Sequence, residues 1–216
     1  MQSEIKTKTT IAVINQKGGV GKTTTVINLA SSLSILGQRN LIIDLDPQGN
    51  ATTGLGKSNN DEENNIYNLL IKKKDLHETI QNTDVKNLDI IASNVNLSGL
   101  EVETANDANR AFVLKNILEK EKNGLLSKYN NIFIDCPPSL SLLTIMALVA
   151  SDELLVPLQT EFFALEGITQ LVKTIDRIKV NLNPELKVLG ILLTMFDKRN
   201  KLSSQVDKEA RTYFKE

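Results

Sequence analysis

A mostly parallel, twisted α/β sheet with helices on both faces is the fold this sequence predicts, and three observations predict it. Short apolar runs rich in β-branched residues, IAVI, LIID and IFID, are nearly continuous rather than alternating, as in strands covered on both faces. Between them lie segments whose apolar residues recur at helical spacing. The two kinds of segment alternate along the chain, which is the pattern of βαβ units.

Taken in order, strands are predicted at residues 10–15, 40–44, 88–92, 132–135, 153–157 and 188–194. The first is followed by a helix whose apolar face is Val26, Leu29, Ala30, Leu33 and Leu36, and Gly37 stops it. Residues 53–65, TGLGKSNNDEENN, are polar and rich in Gly and Asn, so a mobile surface loop is expected, with a short helix resuming at 66–70. The run Lys72, Lys73, Lys74 reads as a solvated helix end, and His77 as a surface residue. After the strand at 132–135, Pro137 and Pro138 make a rigid turn and Ser139 is the expected N-cap of the next helix. Ile168, Leu171, Val172, Ile175 and Ile178 form a later apolar face, and the last helix is expected over 203–214. No repeat and no low-complexity tail interrupts this order, so residues 1–216 read as one domain.

Composition narrows the function classes. Acids and bases nearly cancel, to a formal net charge of -1 at pH 7, so no global basic field advertises nucleic acid, although a local patch is compatible with that balance. The amino terminus, MQSEIKTKTT, lacks the apolar core of a signal peptide, and no apolar run is long enough to span a bilayer; a cytoplasmic chain is expected. One cysteine, Cys136, permits no intrachain disulfide and no thiolate-rich metal cage; it reads as a small packed side chain.

The stretch NQKGGVGKTTT, residues 15–25, joins the first strand to the first helix. The ordinary phosphate-loop pattern is a glycine, four arbitrary residues, then Gly-Lys-Ser/Thr, and here the first glycine's position is held by Gln16. The loop glycines at 18, 19 and 21 still allow close backbone approach to an anion at the positive end of a helix. Lys22 can then reach outer phosphates, and the Thr23 hydroxyl is placed to ligate Mg2+. Lys17 is a second lysine that the ordinary pattern does not require. Ligands of such sheets sit beyond the carboxyl ends of the strands. Asp44 and Asp135 close strands there, and Asp46 follows two residues after Asp44.

KGGVGKTT resembles the deviant Walker A motif of the ParA/MinD-type ATPases, a P-loop NTPase family. The likeness continues through DLDPQGNATTGLG, SNVNLSGLEVE, IFIDCPPSLSLLT and PLQTEFFALEGI and covers essentially the whole chain. DPQGN is most similar to the ParA/Soj branch, which partitions chromosomes and plasmids. The resemblance implies ATP and Mg2+ bound through Lys17, Gly18, Gly19, Val20, Gly21, Lys22, Thr23 and Thr24. It implies that Lys17 crosses a face-to-face homodimer to the partner's ATP, in the manner of an arginine finger. It further implies that Asp46 orients the attacking water, Asp135 holds Mg2+ through a water, and Asp44 supports the same region.

For partners, the resemblance implies DNA bound without sequence preference through Lys198, Arg199 and Lys201, a ParB-type protein that stimulates hydrolysis, no membrane, and a place on the nucleoid. Its family continues past a helix like 203–214 into another strand, a Pro-Arg-Asn stretch that contacts adenine, and closing helices, so adenine contacts are not assigned here and an uncovered sheet edge is expected. The alternative is a MinD-like positioning ATPase on a membrane, against which DPQGN argues. An electron-transfer iron protein on the same loop needs two cluster cysteines per subunit, and one is present. A small-molecule ligase or kinase is a further reading.

Overall fold

The structure is a computed structural model that describes residues 8–161 and 164–213. The amino-terminal residues 1–7, Phe162 and Phe163 of the PLQTEFFALEGI motif, the side chain of Ile168, and Phe214 therefore lie outside the described residues.

Strands β1 (Thr9–Val13), β2 (Asn40–Asp44), β3 (Ile80–Asn82), β4 (Leu88–Ile91), β5 (Asn131–Asp135), β6 (Glu153–Gln159) and β7 (Lys187–Thr194) form one sheet in the order β3-β4-β2-β5-β1-β6-β7. Every pairing is parallel except β3 with β4. The helices are α1 (Lys22–Ile35), α2 (Asn50–Gly54), α3 (Ile66–Leu70), α4 (Leu76–Thr79), α5 (Leu100–Glu103), α6 (Val113–Lys120), α7 (Leu142–Ala150), α8 (Ala164–Asn181) and α9 (Lys201–Tyr213).

The apolar strand runs arise from burial on both faces. Ile11, Val13, Ile42 and Phe133 join one core with Val26 and Ala30 of α1, while their neighbours Ala12, Leu41, Ile43, Ile132 and Ile134 join another with residues of α6, α7 and α8. Side chains alternate across a strand, so a strand with two covered faces must be apolar at every position. Register brings the carboxyl ends together: Asp44 lies opposite Asp135 across β2 and β5, and Val13 opposite Asp135 across β1 and β5. At the amino ends, Tyr129 donates to Asp89 Oδ2 at 2.6 Å, with Arg39 and Lys128 each 3.9 Å from the same oxygen. That polar clamp satisfies a buried carboxylate on the side of the sheet away from the site.

Several expectations are corrected. The antiparallel edge strand β3 was not anticipated. Thr53 and Gly54 belong to α2 rather than to the loop that follows. The rest of that loop is tied down, because the Asn65 and Asn94 amides both donate to the Asp61 carbonyl and the Asn68 amide donates to the Glu62 and Glu63 carbonyls. Ser141, not Ser139, stands at the N-cap of α7, and the Ser139 carbonyl accepts the Thr144 hydroxyl at 2.6 Å. Leu36 is 78% exposed, since α1 ends at Ile35 and Leu36 falls past the packed face. Gly37 ends the helix as expected: at φ 91° it lets Gly37 N–H reach Ser34 C=O and Gln38 N–H reach Leu33 C=O, a Schellman closure.

Candidate nucleotide site

The loop between β1 and α1 is fixed at both ends. Asn15 donates its amide to the Pro157 carbonyl of β6 at 2.7 Å and accepts the Lys17 N–H at 3.0 Å, so the loop leaves the sheet in a set direction. Gly19 (φ 76°) and Gly21 (φ 90°) take left-handed conformations that a residue with a side chain resists. At the far end, the Gly21 carbonyl accepts both the N–H (2.9 Å) and the hydroxyl (2.7 Å) of Thr25. No side chain caps α1, whose first N–H groups and dipole open onto the loop, the arrangement of an anion site. Val20 is buried and its carbonyl accepts the Thr194 hydroxyl at 2.9 Å, which braces the loop against the end of β7.

The two lysines diverge. Lys22 is buried, and its ammonium donates to the Lys17 carbonyl at 3.0 Å, inside the loop. Burial pushes its pKa down, while the Asp135 and Asp46 charges pull the other way. Lys17 turns outward instead, its ammonium paired with Glu161 of the same chain and its side chain 46% exposed. Thr24 is exposed on the first turn of α1.

The three aspartates converge but do different things. Asp135 is fully buried, and its Oδ2 accepts the Thr23 hydroxyl at 2.7 Å. Its Oδ1 is buried with no protein partner, and burial, with Asp44 close by, pushes the carboxyl up to about 7. Asp44 is consumed by positioning: Oδ2 accepts both N–H (2.8 Å) and hydroxyl (2.7 Å) of Thr52, and Oδ1 accepts the Asp46 N–H at 3.2 Å. Burial raises Asp44 to about 6 against those hydrogen bonds. Asp46 is nearly buried, in a turn where its Oδ1 accepts the Gln48 N–H at 3.0 Å and its carbonyl accepts the Gly49 N–H at 2.9 Å.

A family model described as an AAA domain matches residues 8–188. The chromosome partitioning protein ParA of Myxococcus xanthus (strain DK1622) is 49% identical over 205 residues, covering 95% of this chain and 71% of that protein. The sporulation initiation inhibitor protein Soj of Bacillus subtilis (strain 168) is 47% identical over 206 residues, covering 95% of this chain and 80% of that protein. The chain belongs to the ParA/Soj family of ATPases.

Among solved structures, cobyrinic acid a,c-diamide synthase from Mycobacterium smegmatis, with bound ATP analog and magnesium, superposes with a TM-score of 0.88 at 35% identity over 96% of this chain and 83% of that one. The residues of this ParA-family chain fit ATP with Mg2+. An orphaned carboxylate oxygen on Asp135 beside the Thr23 hydroxyl suits a hydrated divalent cation, and the glycine loop with buried Lys22 suits a polyphosphate. Cys136 is buried with its thiol pushed well up, as a packed side chain should be. His77 is exposed on α4, and the lysine run follows α3 with Lys74 paired to Glu78.

Sequence reasoning missed Asn15, Thr52, Glu161 and Thr194 as site residues. Thr52 and Glu161 lie within the quoted motifs DLDPQGNATTGLG and PLQTEFFALEGI, so their location, though not their partners, was open to reading. The segment Lys198, Arg199, Lys201 stands apart from the three aspartates. It begins only four residues past Thr194, whose hydroxyl braces the phosphate loop.

Proposed function

We propose that this chain is an ATP-driven partitioning switch. Two copies close face to face over two ATP molecules, the closed pair holds DNA of arbitrary sequence through Lys198, Arg199 and Lys201, and a ParB-type partner stimulates hydrolysis and release. Chromosome and plasmid DNA alike suit such a surface, and the nucleoid is where it would reside. The carrying observation is the divergence of the lysines: Lys22 serves the loop from within, whereas Lys17 stands outward at its rim, held by Glu161. A lysine so placed is suited to phosphates bound by a second subunit, once it exchanges Glu161 for them.

The chemistry needs few protein parts, because phosphoryl transfer rests on positioning and charge compensation. The loop N–H groups and Lys22 hold the β and γ phosphates. Asp46 orients a water for in-line attack on the γ phosphorus, and Asp44 fixes Asp46 by accepting its N–H while anchoring α2 through Thr52. Thr23 and Asp135 would hold Mg2+, which supplies neutralising charge across the phosphate oxygens. Lys17 from the partner subunit completes the charge around the transition state, so hydrolysis waits on dimerisation.

The partition names belong to relatives 49% and 47% identical, while the synthase named above is 35% identical, which supports the partition reading over a ligase. The test is size-exclusion chromatography and plasmid retention with ATP and Mg2+. A shift from monomer to dimer, with plasmid of arbitrary sequence retained, is expected, and Lys22→Ala should lose both. A wild-type chain that stays monomeric with ATP would refute the switch, and retention on anionic vesicles instead of plasmid would favour the membrane-associated alternative.

A further inference from the structure

The basic segment after β7 is not all free charge. Arg199 lies folded back on Asp197, with Nη2 donating to Oδ2 at 2.8 Å and Nε to Oδ1 at 3.1 Å and Oδ2 at 3.3 Å. Asp197 Oδ1 also accepts the Arg199 backbone N–H at 2.9 Å, and the Asp197 carbonyl accepts the Asn200 N–H at 3.0 Å, so an Asx turn holds the pair in place. The Arg199 side chain is nevertheless 91% exposed. The pairing holds the Asp197 carboxyl below its ordinary range and the guanidinium above its own.

Beside the pair opens a shallow cleft of about 350 Å³, lined by Lys198, Arg199, Lys201, Ser204, Gln205 and Lys208. Positions 201, 204, 205 and 208 fall on one face of α9, since residues three, four and seven apart stack on a helix. The opposite face is occupied: Val206 and Ala210, with Leu202, pack on Leu158, Val172 and Leu193. Among the described residues no ion pair involves Lys198, Lys201 or Lys208. The cleft is therefore a track of three lysines outside any of these ion pairs, Lys198, Lys201 and, further along α9, Lys208, next to an arginine that a carboxylate already neutralises.

An arginine fork meets a carboxylate and a phosphate with the same bidentate geometry. We propose that Asp197 is an internal stand-in for a DNA phosphate: it occupies Arg199, so a duplex seated on the lysine track must displace it, and the DNA affinity is held down by that competition. This rests on the DNA-binding reading above. Arg199 then contributes little net charge to the encounter, and its contact forms only where a phosphate competes successfully with Asp197.

Asp197→Asn is the direct test, because the amide oxygen can still accept the Arg199 N–H and keep the turn while the charge is lost. DNA affinity with ATP is measured against salt for wild type, Asp197→Asn, Arg199→Ala and the double variant, with ATP affinity as the check on folding. Asp197→Asn should bind DNA about three- to tenfold tighter at low salt, a range that reflects the small worth of an exposed ion pair plus relief of repulsion from phosphate. Its salt slope should steepen by roughly one per subunit as one more cation becomes free to release counterions. In the Arg199→Ala background the gain should vanish, as a double-mutant cycle requires of two coupled residues. Equal gains in both backgrounds would make Asp197 a mere nearby charge, and no gain in either would mean that Arg199 is not held back; each result overturns the proposal while DNA binding stands. If no form retains DNA, the DNA-binding reading itself falls, and this inference with it.

Discussion

Asp135 combines a buried carboxyl, one oxygen satisfied by Thr23 and the other facing no protein partner, which is costly unless a cation or a proton arrives. Burial raises Asp135 from 3.8 to about 7, and it raises Asp44 from 3.8 to about 6. For both, the folded chain binds a proton more tightly than the unfolded one, so stability falls as pH rises from the unfolded value through the folded one. For Asp135 the cost, fully present above its folded value, is at most about 4 kcal/mol. Denaturant unfolding of nucleotide- and magnesium-free protein should thus show stability declining from about pH 4 to about pH 7. Asp135→Asn should flatten much of that decline and abolish magnesium-dependent hydrolysis. A wild-type profile that is flat or rising over this window would show that Asp135 carries no such penalty. The three aspartates were legible in the sequence because each stands at or just after a strand end. Their division of labour was not, since it depends on Thr52 and Thr23, which only the fold brings to them.

At the scale of elements, legibility followed burial. β2 and β5 read plainly because strands covered on both faces must be apolar throughout, whereas β3, sequence IQN, is three residues long and only partly buried, and it leaves no periodic trace. The helix α2, NATTG, has the composition of a turn and forms because Asp44 holds Thr52. Side-chain bridges between distant segments are equally silent in sequence: Lys17 and Glu161 are 144 positions apart, and Thr194 and Val20 are 174 apart. The latter bridge makes β7 a brace for the phosphate loop. Thr194→Val keeps the side-chain shape and removes the hydroxyl that Val20 C=O uses, which should cost about 1 kcal/mol of stability and weaken ATP binding several-fold. Denaturant unfolding and equilibrium ATP binding check the two halves. Unchanged ATP affinity would show that β7 merely abuts the loop. Leu189 and Leu192 on this same strand, the last in the order of the sheet, are exposed.

At the scale of the whole molecule, the placement of Lys17 bears on whose phosphates it serves. Within the chain it is paired with Glu161, and its backbone carbonyl, not its ammonium, faces Lys22. If Lys17 acts across a dimer, Lys17→Ala should retain monomeric ATP binding while losing ATP-dependent dimerisation and turnover. Asp46→Ala should do the opposite to the dimer, accumulating it with ATP bound but unhydrolysed, since a water-orienting carboxylate matters to the transition state rather than to the ground state. Mixing the two separates cis from trans. In a mixed dimer, the site on the Lys17→Ala chain has its own Asp46 and receives Lys17 from the Asp46→Ala chain, so it is complete; the other site lacks both. Random pairing would set a ceiling of about a quarter of the wild-type turnover, and the poor pairing of Lys17→Ala chains and the trapping of Asp46→Ala homodimers place the expected recovery below it, but above the two chains alone, which are inactive. A lysine that acts only on its own chain's phosphates predicts no recovery, because neither chain then contains a complete site. Turnover measured against the mixing ratio, with a maximum at an intermediate ratio expected and none at either end, decides between them.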